Sequence, residues 1–89
     1  MKYFYLDVTY RNGRPLAAYL YLSRRPGEKS YRVDRSEAGL LIDFGRSGKP
    51  IGIEITDPSK ASAARLNRVL RSLGQRELKA ADLAPLRAA

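Results

Sequence analysis

The chain has 89 residues, with 17 basic against 9 acidic side chains, a formal net charge of +8 and 44% hydrophobic residues. That is enough for one modest core, and the composition is that of a folded chain rather than a disordered one. Cysteine and histidine are both absent, which excludes disulfides, thiolate nucleophiles, sulfur-ligated metals and any Ser–His or Cys–His catalysis within one chain.

The first elements are strands. Residues 2–10 alternate Phe4, Leu6, Val8 and Tyr10 with Tyr3, Tyr5, Asp7 and Thr9, and predict β structure. Residues 16–22 alternate Leu16, Ala18, Leu20 and Leu22 on one face. Keeping both apolar sets on one side requires even residues to face even ones. A three-residue loop, Arg11-Asn12-Gly13 with Gly13 left-handed, meets that condition, because a one-residue slip would flip every side chain. Residues 23–29, including Arg24-Arg25-Pro26-Gly27-Glu28-Lys29, lack the glycines and the following helix of a phosphate loop and read as a plain surface connection.

Residues 30–35 predict a short strand with Tyr31 and Val33 inward, closed by a Ser36-Glu37-Ala38-Gly39 turn. Strands over 40–44 and 51–56 come next, with Phe44 expected opposite Ile51 across the Gly45–Pro50 turn. Asp57-Pro58 is a helix start, with Asp57 capping and Pro58 losing nothing at the first position. Leu66, Val69, Leu70 and Leu73, extended by Ala63, form the apolar stripe of one helix over 58–74 that stops at Gly74. A short helix near residues 79–84 is expected in the tail, with Leu78, Leu83 and Leu86 clipping it to the core or to a neighbouring chain.

The expectation is one α+β domain over residues 1–89: an antiparallel β-meander of about five strands (1–57), a long helix on one face (58–74) and a short helical tail (75–89). Its core is expected to hold Phe4, Leu6, Val8, Leu16, Leu20, Leu22, Val33, Ile42, Phe44, Ile51, Ile53, Leu66, Val69, Leu70 and Leu73. No apolar run approaches the roughly 20 residues of a membrane span. The opening residues do not read as a signal peptide, since Asp7 interrupts them and no small-residue cleavage site comes after, so a cytoplasmic protein is expected.

Gly39-Leu40-Leu41-Ile42-Asp43-Phe44, the Gly48-Lys49-Pro50 turn and Ile51-Gly52-Ile53-Glu54-Ile55-Thr56-Asp57-Pro58-Ser59 resemble the signature of the bacterial and archaeal domain-of-unknown-function family 2283. The resemblance covers roughly residues 5–73. The first hairpin departs from it, with Val8-Thr9-Tyr10-Arg11-Asn12-Gly13 in place of an Asp-x-x-x-Asp-Ala-Leu-Tyr entry. The resemblance implies a fold and no established activity. Members often lie beside genes for small RelE-like toxins, which implies an antitoxin-like role.

Three constellations are candidates for function. Tyr3, Tyr5, Tyr19 and Tyr21 gather on the hairpin face opposite the leucines; they suit a protein interface, or base stacking beside Lys2 and Arg24, or plain cross-strand aromatic pairing. Lys60, Arg65, Arg68 and Arg71 put four bases and no acid on one helix, a candidate face for nucleic acid or an acidic partner, or an ordinary solvated face. Asp43 and Glu54 point away from the apolar face on neighbouring strands; as a pair they could divide acid and base roles or hold a divalent cation, and as structural carboxylates they would be neutralised by Arg32, Arg46 or Lys49. No third ligand accompanies them, and no pattern calls for a cofactor. The leading expectation is a non-catalytic protein-interaction module, antitoxin-like in character and acting as a homodimer or with a small partner protein. Nucleic-acid binding through the helix and carboxylate catalysis are the alternatives.

Overall fold

The computed structural model describes residues 4–24 and 26–86. Five antiparallel strands form one sheet: β1 (Tyr5–Arg11), β2 (Arg14–Tyr21), β3 (Arg32–Glu37), β4 (Leu40–Phe44) and β5 (Pro50–Ile55). Their order is β1-β2-β5-β4-β3. The α+β class and the five antiparallel strands match the sequence-based expectation. The order differs from simple succession at one point. The connection over residues 22–31 carries the chain to the far edge, and β3, β4 and β5 then step back until β5 pairs with β2.

All the apolar faces point to one side. Ala18, Leu20 and Leu22 lie beside Ile51, Ile53 and Ile55 and next to Leu40 and Ile42, all buried. Helix α1 (Ala63–Ser72) covers them with Leu66, Val69 and Leu70, and the tail adds Leu78, Leu83 and Leu86. Phe4, Leu6, Val8, Phe44 and Leu73 pack around this cluster, half-buried. The three tail leucines thus close this chain's own core.

The first turn is not the expected three-residue loop. Arg11 pairs with Arg14 across Asn12-Gly13, and both central residues have positive φ, 54° and 76°, the signature of a two-residue type I′ turn. Parity is restored by a bulge: Thr9 pairs with Ala17 and Tyr10 with Pro15, so Leu16 has no partner. Beyond it Val8 faces Ala18 and Leu6 faces Leu20, as the apolar pattern demands. Leu16, expected in the core, is instead 51% exposed. The three-residue form appears in the β4–β5 turn, where left-handed Gly48 donates its N–H to Gly45 O at 3.0 Å and Gly45 donates to Lys49 O at 2.9 Å. A register shift there sets Phe44 opposite Pro50 rather than Ile51.

β3 also departs from expectation. Asp34 pairs with Ile42 and Arg32 with Phe44, which turns Val33 and Tyr31 to the other side of the sheet, where they are 52% and 68% exposed. As an edge strand it is guarded by Arg32, Asp34 and Arg35 against pairing with another chain.

The expected helix over 58–74 is two pieces. Asp57 does cap, accepting from Ser59 N at 3.2 Å, but the residues it caps form only a 3₁₀ turn, Pro58–Lys60. Ala61 is extended, and Ser62 starts α1 afresh by accepting from Arg65 N at 3.1 Å. The Ser62 hydroxyl competes for backbone N–H groups and caps a fresh helix, which outweighs the helix preference of the alanines around it. The far end is as expected. Gly74 has φ 71° and donates to Arg71 O, and Gln75 N reaches back to Leu70 O at 2.8 Å, the Schellman pattern. The tail forms a 3₁₀ helix, Ala80–Leu86.

Candidate functional surface

The helix and tail cover one face of the sheet, and no described element covers the other. Strand pairing lays out the open face in two transverse rows. The first runs Asp7, Tyr19, Glu54, Leu41, Arg35 from edge to edge, and the second runs Tyr5, Tyr21, Gly52, Asp43, Val33. Tyr5, Tyr19 and Tyr21 are together as expected; Tyr3 lies outside the described residues. The Tyr19 and Tyr21 rings meet edge-on at 4.6 Å between centroids, and Tyr5 lies 5.7 Å from Tyr21.

Gly52 explains how the rows interlock. A Cβ there would collide with the Tyr19 ring and hydroxyl. The bare glycine lets Tyr19 lean from β2 across β5 and donate its hydroxyl proton to Asp43 Oδ2 on β4 at 2.7 Å. Ser30 Oγ donates to Asp43 Oδ1 at 3.2 Å. Burial first, then the hydrogen bond to Asp43 and its negative charge, push the Tyr19 phenol well above its ordinary value, so it stays a neutral donor. Asp43 and Glu54 do share the open face, but Asp43 is held by Tyr19 and Ser30, while Glu54 projects from the next row beside Leu41, exposed. No cluster of three metal-ligating side chains occurs among the described residues.

The helix bases occupy a different setting from the one their spacing suggested. Arg65 Nε lies 3.2 Å from Glu37 Oε1, and its other nitrogens donate to Lys60 O and Ala38 O, each at 3.0 Å. Arg68 shares Glu37 at 3.1 Å, Arg71 pairs with Glu77 at 3.2 Å, and Lys60 stands 4.0 Å from Asp57. Glu37 reaches the helix because of a bulge: Arg35 pairs with Leu41 and Glu37 with Leu40, so Ser36 is the extra residue and Glu37 is turned toward α1. Arg65 therefore ties β3, the β3–β4 turn and the 3₁₀ turn together. The face that looked purely basic in sequence carries its own counter-charges.

Asn67 was not singled out by the sequence, because one polar residue beside an apolar stripe has no local signature. It is buried, donates to Leu78 O at 3.0 Å and accepts from Leu78 N at 2.7 Å, holding the tail as a neighbouring strand would. No described helix is long and apolar enough to cross a membrane. Compared with family models, curated proteins and solved structures, the chain matches none.

Proposed function

We propose that the protein is a non-catalytic interaction module whose open sheet face docks onto the same face of a second copy. The observation that carries this reading is the self-complementary layout of the two rows. A two-fold axis running along β5 would set Asp7 against Arg35 of the partner subunit and Tyr5 against Val33 of the partner subunit. The same rotation would set Tyr19 against Leu41 of the partner subunit and Tyr21 against Asp43 of the partner subunit, each pair occurring twice. Aromatic residues with an acid at one edge and a base at the other suit a protein surface, and the central Glu54 alone meets a like charge, its own copy. Five strands at about 4.8 Å spacing and six residues at about 3.3 Å give a footprint of about 500 Å² per partner, the size of a modest, concentration-dependent interface.

The same residues argue against a nucleic acid on this face, since Asp7, Asp43 and Glu54 would meet phosphates. The non-catalytic reading draws support from Asp43, whose two oxygens are already engaged by Tyr19 and Ser30. An antitoxin-like role, and membership of family 2283, would put a small protein in place of the second copy.

Charge exchange tests the pairing. Asp7→Arg or Arg35→Asp alone should abolish the dimer in sedimentation velocity, and the double variant should restore it. Loss without restoration would remove the two-fold arrangement. A heteromeric complex with a neighbouring gene product that forms in place of the dimer would favour the antitoxin-like reading.

A further inference from the structure

A second group of basic side chains lies at one end of the sheet, away from the helix. The connection over residues 22–31 and the β4–β5 turn lie side by side there: Tyr31 N donates to Phe44 O at 2.8 Å, Leu22 N to Ile51 O at 3.1 Å, and the Glu28 carboxylate lies against Gly45. Arg24, Lys29, Arg32, Arg46 and Lys49 stand on these two segments and the strand beside them, accompanied by Glu28, Asp34 and an Asp43 already held by Tyr19 and Ser30. Each of three arginines lies near an aromatic ring. Arg46 stands 5.5 Å from the centre of Tyr31, Arg24 5.3 Å from Tyr21, and Arg32 4.3 Å from Phe44. An open cavity of about 490 Å³ is lined by Glu28, Arg46, Ser47 and Lys49. Arg46 and Lys49 are exposed and make no ion pair with a described acid, unlike every base on α1.

We propose that this end binds single-stranded nucleic acid, with Tyr31 as a stacking platform and Arg46 and Lys49 on the phosphates. A ring that is 68% exposed at the start of an edge strand is poor packing and a good surface for a base. A base stacked on Tyr31 would replace one cation–π contact by another stack, leaving the Arg46 guanidinium to follow the backbone charge. The glycine-bearing turn holds Arg46, Ser47 and Lys49 close together beside the cavity, within reach of one phosphate and its neighbour. A duplex fits less well, because its bases are already stacked and only the charge would be read.

The test is fluorescence anisotropy with a labelled oligothymidylate of about 12 nucleotides and a duplex of the same length. Binding to the single strand should fall steeply between about 50 mM and 200 mM salt. Tyr31→Ala should weaken it about 10-fold, and Arg46→Ala with Lys49→Ala should lower the log–log salt slope by about 1.4. All three side chains are exposed, so the variants should keep the wild-type melting temperature. Arg68→Ala should leave binding unchanged. The inference is overturned by absence of binding at low salt, by equal affinity for duplex with no effect of Tyr31→Ala, or by sensitivity to Arg68→Ala in place of Arg46 and Lys49.

Discussion

At the scale of single residues, Gly52 and Tyr19 form the joint on which the open face depends. Gly52 does not have positive φ, so a side chain is refused there only because the Tyr19 ring occupies the space. In an otherwise ordinary strand position glycine is a cost, through its backbone freedom and lack of packing. Gly52→Ala should therefore destabilise the wild type by about 1–2 kcal/mol, the worth of the displaced ring and its hydrogen bond. In a Tyr19→Ala background the same substitution should be neutral or stabilising. Chemical denaturation of the four proteins checks the change of sign. Tyr19 also sets an alkaline limit. Its folded-state pKa is raised, so its contribution is complete below the unfolded value of 10.0 and is lost as pH rises beyond it. The loss of stability above pH 10 should be shallower in Tyr19→Phe, read from melting temperatures across an alkaline series.

At the scale of elements, long-range polar bonds fix what hydrophobic pattern leaves free. Asn67 grips both polar groups of the Leu78 backbone and so determines where the tail leaves α1. Asn67→Ala would leave a buried N–H and C=O unpaired, at a cost of about 2–4 kcal/mol. Amide exchange in residues 78–86 should accelerate more than in the sheet, since those residues would open as a local unit. Uniform acceleration would mean that the tail is held by Leu83 and Leu86 alone. Arg65 acts likewise through Glu37 and two carbonyls. Arg65→Lys keeps the charge but can satisfy fewer of these acceptors, and it should cost about 1 kcal/mol in denaturant unfolding. These elements also mark what was legible in the sequence. Alternation gave the faces of β1, β2, β4 and β5, and Asp57 and Gly74 announced their caps, because those signals act over a few residues. The bulges at Leu16 and Ser36 were hidden, since parity cannot distinguish a longer loop from a shorter one joined to an extra residue. The second cap at Ser62, the exposed Val33 and the counter-charge of Glu37 all depend on what lies across the sheet.

At the scale of the molecule, helix and tail complete one layer, and no described element covers the other face of the sheet. Tyr5, Tyr19 and Tyr21 were legible as sharing a face with Asp43 and Glu54, but which side chains stand in one row, and the Arg35 edge, emerge only from the strand order, which the pattern of residues 22–31 does not encode. The proposed two-fold axis brings Glu54 close to Glu54 of the partner subunit, a repulsion at the centre of the interface. Glu54→Gln should therefore tighten the dimer several-fold, and sedimentation equilibrium at neutral pH would detect it. The same axis preserves direction along the strands, so the two basic ends would lie on one side of the dimer.

The most direct measurement is the solution mass of the purified protein by light scattering over a range of concentrations. A mass rising from near 10.0 kDa toward twice that value is expected, with Arg35→Asp remaining monomeric throughout. A chain that stays monomeric at the highest concentration, or a dimer indifferent to Arg35→Asp, would contradict pairing through the open face.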